Sequence, residues 1–223
     1  MLVIGHRGAA GHAPENTLAS IRKAIGFGVD LVEIDVQATR DGQLVVFHDK
    51  LLDRVTGATG YLWDFDLARL RAEVRVAGEQ IPLLSEVCEL VRDSSVRLMV
   101  EILDPATAKA VLATVSEILP ADQFLVASFH HDTVRELVAQ HPGLEAIALV
   151  EGAPVDPVRM ARDCGAHCVG LGFESIQPEK VAALQEASIS VFAWTVNDPR
   201  EIERARRLGV DGIISDYPDR VAR

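Results

Sequence analysis

Three acidic residues stand where apolar ones belong. In the run Leu31-Val32-Glu33-Ile34-Asp35-Val36, apolar residues at every second position alternate with Glu33 and Asp35. An extended strand sends successive side chains to opposite faces, so both carboxylates share one face and Val32, Ile34 and Val36 share the other. Leu98-Met99-Val100-Glu101-Ile102 repeats the pattern with one acid. A buried carboxylate without a partner is very costly. One reading is that each acid pairs with an arginine at a rim. As a set of three, with few lysines nearby, they fit a hard cation better. An all-oxygen ligand set favours Mg2+ or Ca2+ over zinc.

Two histidines and an arginine complete a set suited to phosphoryl transfer. His6 and Arg7 follow the short apolar run Leu2–Ile4, and His48 follows Leu44–Phe47. Histidine is the usual general acid or base near neutral pH. Arginine offers a planar, permanently charged fork for two phosphate oxygens. The cation and Arg7 would stabilise charge on the equatorial oxygens. One histidine would take a proton from the nucleophile and the other would protonate the leaving alkoxide.

The elements that must hold these residues form a simple rhythm. Strand-like runs begin near residues 2, 31, 96, 124, 146, 168, 190 and 212, and helical patterns separate them. Leu18, Ile21 and Ile25 define one such helical face, with Asn16 or Thr17 as N-cap and Gly28 as stop. Eight strand–helix repeats suit a closed parallel barrel, an α/β fold of the (β/α)8 TIM type. An open doubly wound sheet is the alternative, but no G-x-G-x-x-G follows the first strand. Strand C-terminal ends, where barrel active sites occur, are where the acids and histidines fall.

The rhythm breaks once. Asp41-Gly42 between two β-rich runs predicts a hairpin. Residues from about 49 to 82 then lack periodicity and read as a small insertion after the second strand. The whole chain, 1–223, reads as one domain carrying that insertion.

Composition narrows the function class. The 223 residues carry a formal net charge of −11, which opposes nonspecific binding to nucleic acid or anionic membranes. The partner expected is a small molecule, with no nucleic acid and no stable membrane anchor. Cys88, Cys164 and Cys168 fit neither a disulfide framework nor a zinc motif and read as small buried side chains. The N-terminal residues lack a basic region and a long apolar core, so the expected location is cytoplasmic. Oligomeric state is left open.

The ordered motifs resemble the glycerophosphodiester phosphodiesterase family. They are H-R-G at His6–Gly8, P-E-N-T at Pro14–Thr17, E-I-D at Glu33–Asp35, T-R-D-G at Thr39–Gly42 and His48-Asp49. Glu101, W-T-V-N at Trp194–Asn197 and D-G-I-I-S-D-Y-P at Asp211–Pro218 complete the order. The resemblance implies a barrel with an insertion after His48. It implies His6 and His48 as the acid/base pair, Glu33, Asp35 and Glu101 as metal ligands, and Arg7 on the phosphate. It implies hydrolysis of a glycerophosphodiester to sn-glycerol 3-phosphate and an alcohol. Trp194 is a candidate for packing on the substrate, Glu15 for organising the first loop through Arg7, and Ser128 and Phe129 for the pocket wall. His12, His130, His131, His141 and His167 read as structural or surface residues.

One position departs from the family pattern. Where the family reads E-x-K, this chain has Glu101-Ile102-Leu103. The lysine would lie inward beside the glutamate, and leucine carries neither charge nor donor. Two alternatives follow. One is a lysophospholipase D-like enzyme with a greasier mouth, which Leu62, Trp63 and Phe65 favour. The other is a barrel that binds phosphoesters without catalysis.

Overall fold

The computed structural model describes residues 1–221. Eight parallel strands close into a barrel: β1 (Leu2–Gly5), β2 (Leu31–Ala38), β4 (Arg97–Ile102), β5 (Phe124–Ser128), β6 (Ala146–Val150), β7 (Cys168–Gly172), β8 (Ser190–Trp194) and β9 (Gly212–Ser215). Closure comes from β1, which pairs with both β2 and β9. The predicted TIM barrel is therefore the observed fold.

The remaining strand, β3 (Leu44–Val46), runs antiparallel to β2 and forms the predicted hairpin. Gly42 at its turn has φ +79°, a left-handed conformation that glycine adopts without strain.

Helices cover the barrel: α1 (Leu18–Gly26), α3 (Leu84–Arg92), α4 (Ala108–Ile118), α5 (His131–Gln140), α6 (Pro157–Cys164), α7 (Pro178–Glu186) and α8 (Pro199–Leu208). The Thr17 side chain accepts from Ser20 N and caps α1, one of the two predicted caps. A last helix, α9 (Pro218–Val221), has no counterpart in the predicted elements.

Alternation sorts the core into two layers. Val32, Ile34, Val36, Leu98, Val100 and Ile102 pack outward against the helices. Ile4, Leu31, Met99, Leu125, Ile147, Leu149, Phe192 and Ile214 fill the barrel interior. Cys88, Cys164 and Cys168 are buried and unpaired, as read from their spacing.

The segment between β3 and α3 is not shapeless. It holds a 3-10 turn at Leu62–Asp64 and helix α2 (Leu67–Glu73). Val45, Phe47, Leu52, Leu62, Phe65, Leu70, Val74, Val76 and Ile81 give it a small core of its own. This corrects the expectation for the mouth: Leu62 and Phe65 turn into that core. Tyr61, Trp63 and Leu51 are the large apolar side chains that reach outward.

Candidate active site

The barrel register brings the three acids together. Asp35 on β2 stands directly beside Glu101 on β4, and Glu33 lies one step below on the same inward face. One ligand oxygen from each lies within 4.8 Å of the others. Glu33 and Asp35 are 2 % and 1 % exposed. Burial, then the charges of Asp35 and Glu101, push the Glu33 carboxyl well above its ordinary pKa. Burial and the Asp35 charge push Glu101 up to about 8. Glu33 Oε1 is buried without a hydrogen-bond partner among the described residues. An orphaned carboxylate oxygen and mutually repelling acids are what a divalent cation would satisfy.

Arg7 reaches over this trio. Its backbone N–H donates to Glu33 Oε2 at 2.8 Å. Its Nε lies 3.1 Å from Asp35 Oδ2, and its Nη1 donates to Glu15 Oε1 at 2.7 Å. The contact with Glu15 is the one expected. Burial lowers the Arg7 pKa, but Asp35, Glu33 and Glu15 outweigh it and raise the value. Arg7 and Asn16 both hold left-handed backbone, φ 51° and 56°. Such strain persists only where surrounding contacts enforce it. Here the Asn16 amide donates to Asp35 Oδ2 at 2.7 Å. Gly8, at φ +88°, lets the loop lie against α1, since a Cβ there would sit 2.4 Å from Ser20 Oγ.

Each histidine is held by an aspartate at Nδ1. His6 Nδ1 lies 2.6 Å from Asp216 Oδ1, and Asn197 Nδ2 donates to Asp216 Oδ2 at 2.6 Å. Burial opposes ionisation of Asp216, but His6 and Asn197 prevail and its carboxyl titrates below the ordinary value. His48 Nδ1 lies 2.6 Å from Asp49 Oδ1. Arg54 Nε in turn donates to Asp49 Oδ2 at 2.5 Å. With Nδ1 donating to a carboxylate, the neutral ring keeps its lone pair on Nε2.

His6, Arg7, Glu33, His48, Glu101 and Trp194 are among the residues that wall one cavity of about 370 Å3. Phe129 and Trp194 both line it and meet edge to face, with centroids 5.4 Å apart. Trp194 Nε1 has no hydrogen-bond partner among the described residues. Ser128 does not join the wall, because it is buried and its hydroxyl donates to the Ile102 carbonyl.

A wider groove of about 1270 Å3 adjoins the cavity and shares His48 with it. Leu103 lines this groove with Leu51, Tyr61 and Trp63 and is not among the residues that wall the cavity. Tyr61 and Trp63 stack at 4.7 Å.

The sequence marks none of Asp216, Asn197, Asn16 and Arg54 as a site residue, and offers Asn16 only as a cap of α1. The first three lie inside quoted motifs, which was the available signal. Arg54 lies in the aperiodic insertion and carried none.

Residues 6–220 match the model of the glycerophosphoryl diester phosphodiesterase family. The chain belongs to this family. By that membership it is an enzyme of the phosphodiesterase class. A glycerophosphodiester phosphodiesterase of Caldanaerobacter subterraneus subsp. tengcongensis is 35 % identical, over 98 % of this chain and 95 % of that one. Among solved structures, a phosphodiesterase of Oleispira antarctica in complex with the product sn-glycerol-3-phosphate superposes with TM-score 0.93 at 28 % identity, covering 100 % of this chain and 95 % of that one. The crystal structure of a "putative glycerophosphoryl diester phosphodiesterase" from Silicibacter pomeroyi gives 0.91 at 29 %, covering 99 % and 91 %.

Proposed function

We propose that this phosphodiesterase hydrolyses glycerophosphodiesters to sn-glycerol 3-phosphate and an alcohol, with His6 and His48 as the acid/base pair. The observation that carries this is the meeting of two Nδ1-anchored histidines, Arg7, Glu33 and Glu101 around one cavity, with Asp35 grouped against the two glutamates. Glu33, Asp35 and Glu101 would hold Mg2+ or Ca2+, a choice of ion supported by their oxygen-only chemistry. When bound, the cation supplies stabilisation of the charge that develops on the phosphoryl oxygens.

The chain's own residues do the rest. Arg7 orients the phosphate, and Trp194 with Phe129 packs on the organic part of the substrate. One histidine accepts the proton of the attacking oxygen through Nε2 as the new P–O bond forms. The other, protonated at Nε2, delivers its proton to the alkoxide as the old P–O bond breaks. Direct attack by water completes the hydrolysis with these two transfers; attack by the glycerol 2-hydroxyl gives a cyclic phosphate, whose opening by water to sn-glycerol 3-phosphate requires the two transfers again in reverse.

A second reading is a lysophospholipase D-like activity. It is favoured by the groove of Leu51, Tyr61, Trp63 and Leu103, which opens beside His48. That surface suits an acyl chain better than a bare glycerol.

Both readings face one experiment. Release of sn-glycerol 3-phosphate from glycerophosphocholine, and of choline from lysophosphatidylcholine, is measured before and after EDTA and with Mg2+ or Ca2+ restored. Metal-restored activity on the first substrate supports the proposal, and preference for the second supports the alternative. Activity indifferent to chelation and to His6→Ala would overturn the mechanism.

A further inference from the structure

Arg54 joins the two halves of the site. Its guanidinium uses two edges at once. Nε and Nη2 meet Asp49 Oδ2 and Oδ1 at 2.5 and 3.1 Å. Nη1 and Nη2 meet Glu15 Oε2 and Oε1 at 2.9 and 2.6 Å. Asp49 holds His48, and Glu15 holds Arg7. An unbroken chain of hydrogen bonds therefore runs His48–Asp49–Arg54–Glu15–Arg7.

Exposed ion pairs contribute little as a rule. This one differs in geometry and surroundings. Both carboxylates are mostly buried, with side-chain exposures of 18 % for Glu15 and 19 % for Asp49, while the Arg54 side chain that bridges them is 48 % exposed. Paired contacts on each edge fix orientation as well as charge. Burial works against both carboxylates, yet Arg54 and their other partners hold Glu15 and Asp49 below their ordinary pKa values. A lysine has no planar fork and cannot reproduce the two edges.

We propose that Arg54 is a positioning residue: by bridging Asp49 to Glu15 it sets the ring of His48 and the guanidinium of Arg7 at one fixed separation. The inference rests on the proposed roles of His48 and Arg7. It predicts that the insertion takes part in the reaction through a residue that need not touch the substrate.

The test compares Arg54→Met, Arg54→Lys, Asp49→Asn and Glu15→Gln with the wild type, using glycerophosphocholine and Mg2+. Arg54→Met is expected to lower kcat/KM roughly tenfold or more, the scale of losing hydrogen bonds to charged groups. Asp49→Asn should lower kcat, Glu15→Gln should raise KM, and Arg54→Met should do both. Arg54→Lys should recover only part of the loss. The Mg2+ midpoint in a thermal-shift titration should stay within about twofold, because Arg54 contacts none of the three acids and the Arg7 backbone N–H keeps its bond to Glu33.

Coupling decides the mechanism. The Asp49→Asn and Glu15→Gln losses should combine to less than their product, since both act through one guanidinium. That measurement also serves if Arg54→Met melts too low to assay. Wild-type activity within twofold in Arg54→Met, full recovery by lysine, or independent multiplication of the two carboxylate losses would overturn the proposal. A readout without turnover separates it from the function itself. NMR of the His48 ring should show a single Nδ1–H tautomer in the wild type and a mixture in Arg54→Met. An unchanged tautomer would sink the role of Arg54, whereas a wild type inactive on the diester would count against the proposed function.

Discussion

The two histidines are held by the same bond and supported by different parts of the molecule. His6 leans on Asp216, 210 residues away, and the pair exists only because β1 and β9 close the barrel. Asn197 braces Asp216 twice, through its amide to Oδ2 and its carbonyl oxygen to the backbone N–H. His48 leans on its immediate neighbour Asp49, which is braced by Arg54 from the insertion. The His48 side chain is 39 % exposed against 19 % for His6. One ring is part of the barrel frame. The other is mounted on an appendage that has its own core.

Removing either imidazole is the most direct way to break this comparison. His6→Ala and His48→Ala should each lower kcat by about 100- to 10,000-fold, the usual contribution of a positioned acid or base. A p-nitrophenyl leaving group separates their roles, because it departs without being protonated. The histidine that serves the leaving group should lose far less on that substrate. Equal losses on both substrates for both variants would mean that neither ring acts as the acid.

The anchors come next in size. Asp216→Asn and Asp49→Asn should each lower kcat roughly 10- to 100-fold, consistent with about 1.5–3 kcal/mol for a hydrogen bond to a charged group. The comparison predicts a further difference between them. Asp216→Asn should also lower the melting temperature, because Asp216 ties β9 to β1 and to Asn197. Asp49→Asn should leave barrel melting nearly unchanged. Equal thermal effects would show that the two mounts are structurally equivalent.

The same contrast explains what the sequence could reveal. Glu33, Asp35 and Glu101 were legible because alternation along a strand is a local property, and a charge on the inward face breaks it visibly. The eight-strand barrel followed from the same periodicity. Asp216 could be found only by family likeness, since nothing local pairs position 6 with position 216. The insertion was opaque for another reason. Its helix α2 has seven residues, too few for a periodic stripe, and its apolar residues serve a small core that cannot be seen before it folds. Leu62 and Phe65 were misread as mouth residues for that reason. Arg54 looked like any surface arginine until its two carboxylates were in place.

Between the two mounts sits the acid trio, whose protons give a smaller and testable signal. Burial and neighbouring acids raise Glu33, and Glu101 to about 8, above the ordinary value of 4.5. A group that binds its proton more tightly when folded adds stability below its unfolded pKa and loses it as pH rises through the folded one. The metal-free protein should therefore melt at progressively lower temperature as pH rises from about 5 to 9. Saturating Mg2+ should flatten that slope by favouring the ionised carboxylates, and Glu101→Gln should flatten it without metal. A melting temperature constant across this range in EDTA would contradict the buried, metal-poised trio.

Leu103 gives the smallest effect and sharpens the comparison most finely. It lies on the His48 side, in the groove with Leu51, Tyr61 and Trp63, and not in the cavity shared with His6. A lysine there would add a cation near the entrance. At such a half-exposed position its attraction for a phosphodiester is worth about 1 kcal/mol at most, or up to about fivefold. Leu103→Lys should therefore raise turnover of glycerophosphocholine a few-fold and should weaken any activity on an acylated substrate that uses the apolar wall. Opposite signs on the two substrates would make this groove the determinant of substrate choice. A gain on both would mean that the lysine acts on the phosphate alone, and the groove would then have no say in what the His48 side accepts.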